Sequence, residues 1–193
     1  DFFDEMGESQ AVEVDWDLDA ANPSDGVLRQ KATDLARTMG TSLGGLPFNG
    51  VLAICGDAFW DALVKHKEVR DTYKGYAAAM TLRQATIYIN SKSVQSGVWG
   101  SFPLFDITWV NYRGGQGVAV EDDEVKFIPL GVPGLFRSVF APADYIETVN
   151  TPGLELYVKQ FRMPNDKGIN LEYQNNVLHY CTRPRVLQRG RMT

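Results

Sequence analysis

Apolar and polar residues alternate over Ala11 to Leu18 (AVEVDWDL), setting Val12, Val14, Trp16 and Leu18 on one face and acids on the other, the pattern of a half-buried strand. Asn22-Pro23 then supplies an N-cap and a proline for the first helical position, and Val27, Leu28, Leu35 and Met39 recur at helical spacing. Asp25 in the first turn and Arg37 near the last suit the helix dipole. Gly40, with Gly44-Gly45 beyond it, is expected to end this helix after about 18 residues, or about 27 Å.

Val51 to Ile54 reads as a short apolar strand, turned at Gly56-Asp57 into a helix that buries Phe59, Trp60 and Leu63. A second helix is predicted from Lys67 through Tyr73, continued by Ala77 to Leu82, then a strand over Ala85 to Ile89 and a loop over Ser91 to Gly100. Leu104 to Tyr112 reads as one strand built on Phe105, Ile107, Trp109 and Val110, and Arg113 to Gly117 as a turn. Glu124 to Ile128 starts another strand, and Glu172 to Val186 is one long strand or two broken ones. With no Gly/Ser or Pro linker between them, these elements predict an α+β body that the chain leaves and re-enters, residues 47 to 130 forming the excursion.

The 193 residues suffice for a buried core, and 44% hydrophobic with 22% charged residues describes a folded chain rather than a disordered one. No apolar run approaches the roughly 18 residues needed to span a bilayer. The opening DFFDEMGESQ has no initiator Met and no basic-then-apolar leader, so the sequence is expected to start inside a longer native chain. Cys55 and Cys181 form neither a CxxC unit nor a disulfide framework, which suits a reducing compartment. The formal charge of −5 disfavours a surface dominated by phosphate contacts. Nine acids precede the first basic residue, Arg29, while Arg183, Arg185, Arg189 and Arg191 crowd the other end. Such poles serve either head-to-tail attraction between subunits or simple solvation.

Catalytic and ligand chemistry finds little support. RGGQG at 113–117 and GVPG at 131–134 lack the order of a phosphate-binding loop. Cys55, His66, His179 and Cys181 are the only soft metal ligands, and no motif converges them or arms a thiol–imidazole pair. Glu121-Asp122-Asp123-Glu124 reads as a solvated acidic turn rather than an acid/base pair. The tail RPRVLQRGR has arginines for phosphates but no stacking platform; its arginines serve nonspecific phosphate contact or pair with acids of this or a neighbouring subunit.

Three blocks stand in fixed order: FIPLGVPGLF from Phe127, APADYIETVNT from Ala141, and CTRP from Cys181. Together they resemble the lambda-like major capsid protein E family of tailed phages. Asn111-Tyr112-Arg113-Gly114 is similar to a strand end of that family. Phe59-Trp60 with Leu63 and Lys67-Glu68-Val69 is similar to its short helical region. Asn175-Asn176-Val177-Leu178 departs from it by lacking a proline, and so does Pro152 after Thr151.

The resemblance implies the HK97-like major capsid protein fold, with the amino-terminal arm and most or all of the E loop lying before residue 1. It implies a peripheral P domain over residues 1–49, including a spine helix from about Pro23 to Met39. A mostly axial A domain follows over 50–140, with a return to the P domain over 141–193. It further implies a structural, non-enzymatic subunit of a phage or prophage icosahedral head, made in the bacterial host cytoplasm. Hexamers and pentamers of the chain would enclose the genome, without catalytic residues, cofactor, metal or membrane. Its partners would be copies of itself, scaffold or decoration proteins, and nonspecifically contacted DNA. A protein-binding module derived from the same fold, and a small Cys/His hydrolase, are the alternatives. Assembly or turn roles attach to Pro129, Gly131, Pro133, Gly134, Phe136, Pro142, Asp144, Glu147, Asn150, Thr151, Arg183 and Pro184, with Arg137 beside Asp144 and Glu147 as a salt-link candidate. Phe136, Phe140 and Tyr145 are either domain core or interface anchors.

Overall fold

A computed structural model describes residues 2–20, 24–74, 98–114 and 120–193. Its helices are α1 (Phe2–Met6), α2 (Val27–Leu43), α3 (Asp57–Lys65) and α4 (Lys67–Lys74). Its strands are β1 (Val14–Asp15), β2 (Gly50–Cys55), β3 (Val98–Leu104), β4 (Ile107–Tyr112), β5 (Glu124–Leu130), β6 (Phe136–Phe140), β7 (Tyr157–Arg162), β8 (Ile169–Gln174), β9 (Val177–Cys181) and β10 (Gln188–Arg191). The chain divides into a larger unit, Gly7–Pro133 with Arg183–Thr193, and a smaller one, Asp1–Met6 with Gly134–Thr182. The segment that leaves one unit and returns is therefore 134–182, not 47–130, because strands on both sides of it share one sheet.

That sheet, in the larger unit, runs β1-β10-β5-β2-β4-β3. β1 lies parallel to β10 and β2 to β4; the remaining neighbours are antiparallel. Register sets Trp109 and Phe127 on either side of Ala53, and this small central residue leaves space above the row. Trp16 fills it, with ring centroids 5.2 Å from Trp109 and 5.3 Å from Phe127; Phe59 of α3 stacks on Trp109 at 6.0 Å. All four rings are buried, and their edge and tilted contacts add to the area they remove from water. Two places from Phe127 on the same face, Val125 pairs with Gly190. A Cβ on Gly190 would sit 2.4 Å from Trp16 Nε1 and 2.8 Å from the Val14 carbonyl, so only glycine admits the indole there.

Sequence expectations fail at the ends of three elements. The strand foreseen over Ala11 to Leu18 shrinks to Val14–Asp15: beyond it Asp17 turns the backbone to φ 49, and before it Val12 is exposed. α2 runs through Gly40 and ends at Gly44, which takes φ 62, while Arg183 donates to the Leu43 carbonyl at 2.5 Å. One internal glycine costs only about 1 kcal/mol, too little to stop a helix that buries Leu28, Ala32, Leu35, Met39 and Leu43. The helix starts at Val27 after Gly26, so Asp25 lies ahead of its first turn. Its N–H groups at Leu28 and Arg29 donate to the Glu68 carboxylate at 3.0 and 3.3 Å, and Asn22-Pro23 lies outside the described residues. Leu104 to Tyr112 is the tip and second strand of a β3–β4 hairpin, turned by Phe105 and Asp106 at φ 55 and 62. Two successive positive φ values are the turn chemistry of Asn-Gly, which Phe-Asp does not announce. The Arg29 guanidinium lies 5.2 Å over the Phe105 ring.

α3, α4 up to Lys74, β2 and β5 lie where the sequence sets them. The continuation over Ala77 to Leu82, the strand over Ala85 to Ile89 and most of the loops over 91–100 and 113–117 fall outside the described residues. Among the described residues no helix is long and apolar enough to cross a membrane. The acidic run is structural: the Asp122 carbonyl accepts the Phe59 N–H at 2.9 Å and that of Glu124 the Gly56 N–H at 3.0 Å. Arg191 meets Glu13 at 2.8 Å, Glu124 at 3.1 Å, Asp123 at 3.4 Å and Glu121 at 3.5 Å. Its Nε approach to Glu13 is a charge contact without hydrogen-bond alignment. Arg189 reaches Glu13 at 3.2 Å and Arg185 reaches Glu8 at 2.6 Å, so acidic and basic poles meet within one chain.

Two outcomes follow from this packing. Trp16→Ala and Phe127→Ala each lose about 3–5 kcal/mol of unfolding free energy in urea titrations; a loss under 1 kcal/mol would show that the aromatic cluster is not the core. His66 is buried, its Nδ1 accepts the Glu68 N–H at 3.3 Å, its Nε2 has no partner, and burial pushes its pKa down against the opposing pull of Glu68. The unfolded chain then binds a proton that the folded one refuses, so stability falls as pH drops below about 6.5. His66→Asn keeps an acceptor and flattens that slope; an unchanged slope between pH 6.5 and 5 contradicts it.

Candidate assembly surface

The smaller unit is built from two antiparallel pairs, β6–β9 and β7–β8; a long segment over 141–156 links β6 to β7, and a short turn links β8 to β9. Its interior is slight: among the described residues, Phe3, Leu135, Ala143, Tyr157 and Cys181 are its buried hydrophobic ones. Its surface is the reverse. Among the described residues, fourteen of the seventeen exposed large hydrophobic side chains fall between Phe136 and Leu178. So dense an apolar exterior is characteristic of a surface that another protein covers.

Hydrogen bonds organise the segment between β6 and β7. Asn176 Nδ2 donates to the Pro142 carbonyl at 2.9 Å, and the Asp144 N–H to Gln174 Oε1 at 3.3 Å. Residues Ile146–Thr148 form one 3-10 turn, closed by Thr151 Oγ1 donating to the Thr148 carbonyl at 2.7 Å. Asn150 takes φ 58 there, the conformation its short polar side chain tolerates. Lys159 bridges to Glu147 at 2.8 Å, which lowers the Glu147 pKa, and lies 4.6 Å over the Tyr145 ring. Gly153 is in the tightest place, since a Cβ would come within 1.9 Å of the Phe140 carbonyl oxygen.

The twelve residues singled out in the sequence do not form one site. Pro129, Gly131, Pro133, Arg183 and Pro184 belong to the larger unit. Pro129 is buried opposite Val51; Gly131 at φ 75 lies against Asn49; Pro133 is half of the turn before β6; Pro184 opens the 3-10 turn that packs on α2. Gly134, Phe136, Pro142, Asp144, Glu147, Asn150 and Thr151 lie in the smaller unit. Phe136 is exposed, Phe140 and Tyr145 half-buried. Arg137 is exposed on β6 with its guanidinium near Gly134, while Glu147 takes Lys159 as its partner. The apolar stretch Tyr157 to Tyr173, absent from that selection, carries much of the exposed surface.

The groups proposed for chemistry are dispersed. Cys55 and Cys181 are buried in different units and are not joined in a disulfide, and burial pushes the Cys55 pKa up, away from thiolate reactivity. His179 Nδ1 shares a 2.7 Å hydrogen bond with Ser138 Oγ on the exposed face of β6–β9. Among the described residues no three His, Cys, Asp or Glu side chains are grouped to hold a metal ion.

The chain is thus a mixed α/β fold whose exposed apolar side chains, among the described residues, gather on the smaller unit. Residues 1–192 match the family described as phage major capsid protein E, and the chain belongs to that family. It is 25% identical over 200 aligned residues to the major capsid protein of Pseudomonas phage KPP10, covering 99% of this chain and 55% of that protein. It is 27% identical over 182 residues to the major capsid protein of Salmonella phage Felix O1, covering 83% and 48% respectively. The chain thus spans about half the length of these curated relatives. Its fold is similar to the crystal structure of a candidate prophage capsid protein of E. coli CFT073, with TM-score 0.53 and 15% identity over 92% of this chain and 50% of that one.

Gly153→Ala is expected to displace the loop from β6 and to increase amide exchange across residues 140–157, because backbone cannot yield as a flexible side chain can. Exchange rates equal to wild type would show that the close approach is not required.

Proposed function

We propose that this chain is a structural subunit of a phage or prophage head, which assembles with copies of itself into hexamers and pentamers around the genome. Membership of the capsid protein E family over residues 1–192 carries this reading. The apolar exterior of the smaller unit supports it, since repeated contacts between identical copies need surface of this kind. The work of such a subunit is to hold geometry, and no bond-making step belongs to it.

The HK97-type assignment is part of the same proposal. In it residues 1–49 are peripheral, 50–140 mostly axial and 141–193 peripheral again, with α2 as the spine helix. Those names describe positions in a capsomer, which a single chain does not display. Scaffold or decoration proteins and nonspecific contact with packaged DNA also belong to the proposal. Within the chain, Arg185, Arg189 and Arg191 already pair with acids, which leaves them less available to phosphates.

Negative-stain microscopy and light scattering of the complete gene product, alone and with its neighbouring gene products, test the reading. Closed shells or six-membered rings are expected. A small species that persists under every assembly condition would overturn it in favour of a protein-binding module.

A further inference from the structure

The register of the β7–β8 hairpin sorts its side chains into two faces. Tyr157 with Gln174, Lys159 with Glu172 and Phe161 with Asn170 share one; Val158 with Tyr173, Gln160 with Leu171 and Arg162 with Ile169 share the other. The first face is mostly polar, yet it is the one tied to its own unit, through buried Tyr157 and through Lys159 on Glu147 and Tyr145. The second is mostly apolar and bare. Val158, Leu171, Ile169 and Tyr173 are 55%, 55%, 61% and 63% exposed. A solvated antiparallel hairpin has the opposite polarity, apolar inward and polar outward.

Building on the shell-subunit reading, we propose that this outward face of β7–β8 is a self-association surface, which packs on the smaller unit of a second copy of the chain. Three observations select that occupant. The four side chains make a patch on the order of 300 Å², well below the roughly 800 Å² per partner of a stable one-to-one complex. So small a patch serves as one of many repeated contacts, as identical copies provide. The face carries one charge, Arg162, which already neighbours Asp166 at 3.6 Å, so it offers no cationic track for phosphates and no acidic one for a basic partner. Finally, the apolar surface that could receive it on another copy is confined. Among the described residues the larger unit exposes only Val12 and Leu130 of this class, whereas the smaller unit exposes Val139 and Leu178, Ile146 and Val149, and Leu154 and Leu156. A two-stranded hairpin is marginal in water by itself, and a covering copy gives it the second layer it lacks.

Sedimentation velocity of the 193-residue chain over a concentration series, with hydrogen exchange at each concentration, tests the inference. Reversible self-association is expected, with protection of residues 157–162 and 169–174 rising as copies associate. The double substitution Ile169→Glu, Leu171→Glu is expected to weaken association at least tenfold while far-UV circular dichroism and the thermal midpoint stay unchanged, because both side chains point away from their own unit. The inference is overturned by a wild-type chain that remains monomeric throughout. It is overturned equally by an unaltered association of the double variant, or by protection that appears only with a different protein. Assembly of the complete gene product is read separately: shells that form equally well with the double substitution remove this surface and leave the shell-subunit reading standing, whereas absence of any shell removes that reading itself.

Discussion

Everything in the larger unit depends on one indole. Trp16 has no place on the sheet by itself; it fits because Ala53 is small, because Gly190 has no side chain, and because Trp109, Phe127 and Phe59 surround the space. Those five partners come from β2, β10, β4, β5 and α3, so one buried ring couples the middle of the sheet to the helix above it. The main chain fixes its position independently: the Trp16 N–H donates to the Arg191 carbonyl and the Leu18 N–H to that of Met192, each at 3.0 Å. The ion pairs of Glu13 with Arg189 and Arg191 lie beside this seam and are partly exposed, so they contribute orientation more than free energy.

The smaller unit obeys a different balance. It has few buried apolar residues, two sheets of two strands each, and polar groups turned toward its own loop while apolar ones meet solvent. Judged as a free-standing domain it is badly made; judged as a component it is sensible. Among the described residues, most of the exposed large hydrophobic side chains lie between Phe136 and Leu178, which is where the proposed contacts between copies would cover them.

What could be read in the sequence was local. The apolar stripe of α2, the short strand at Val51 and the aromatic positions of α3 follow from periodicity alone. Element ends were another matter, because distant groups set them: Glu68 caps α2 from 40 residues away and Arg183 closes it from 140. The turn at Phe105-Asp106 has no sequence signal, so the strand expected over Leu104 to Tyr112 runs through it, and β3, whose start falls in the loop expected over Ser91 to Gly100, was not foreseen. In Ile169–Gln174 strict alternation announces two unlike faces, but it cannot say which will find water. Side-chain pattern carries polarity, not position; no strand was expected over Tyr157–Arg162 and one began only at Glu172, so the hairpin face was illegible as a surface. The family phrases, by contrast, were legible as a set although the structure distributes them over two units.

The sheet order has a consequence in time. β10 lies between β1 and β5, so the larger unit needs residues 188–191 in place before Trp16 is fully enclosed. A ribosome delivers those residues after every other strand of the unit, and until then the sheet has an open edge at β5 and an unseated indole. Completion of the core is thus postponed until synthesis has passed the whole of the smaller unit as well. A chain that lacks residues 188–191 cannot enclose Trp16, so the core of the larger unit itself separates chains that contain β10 from chains that do not.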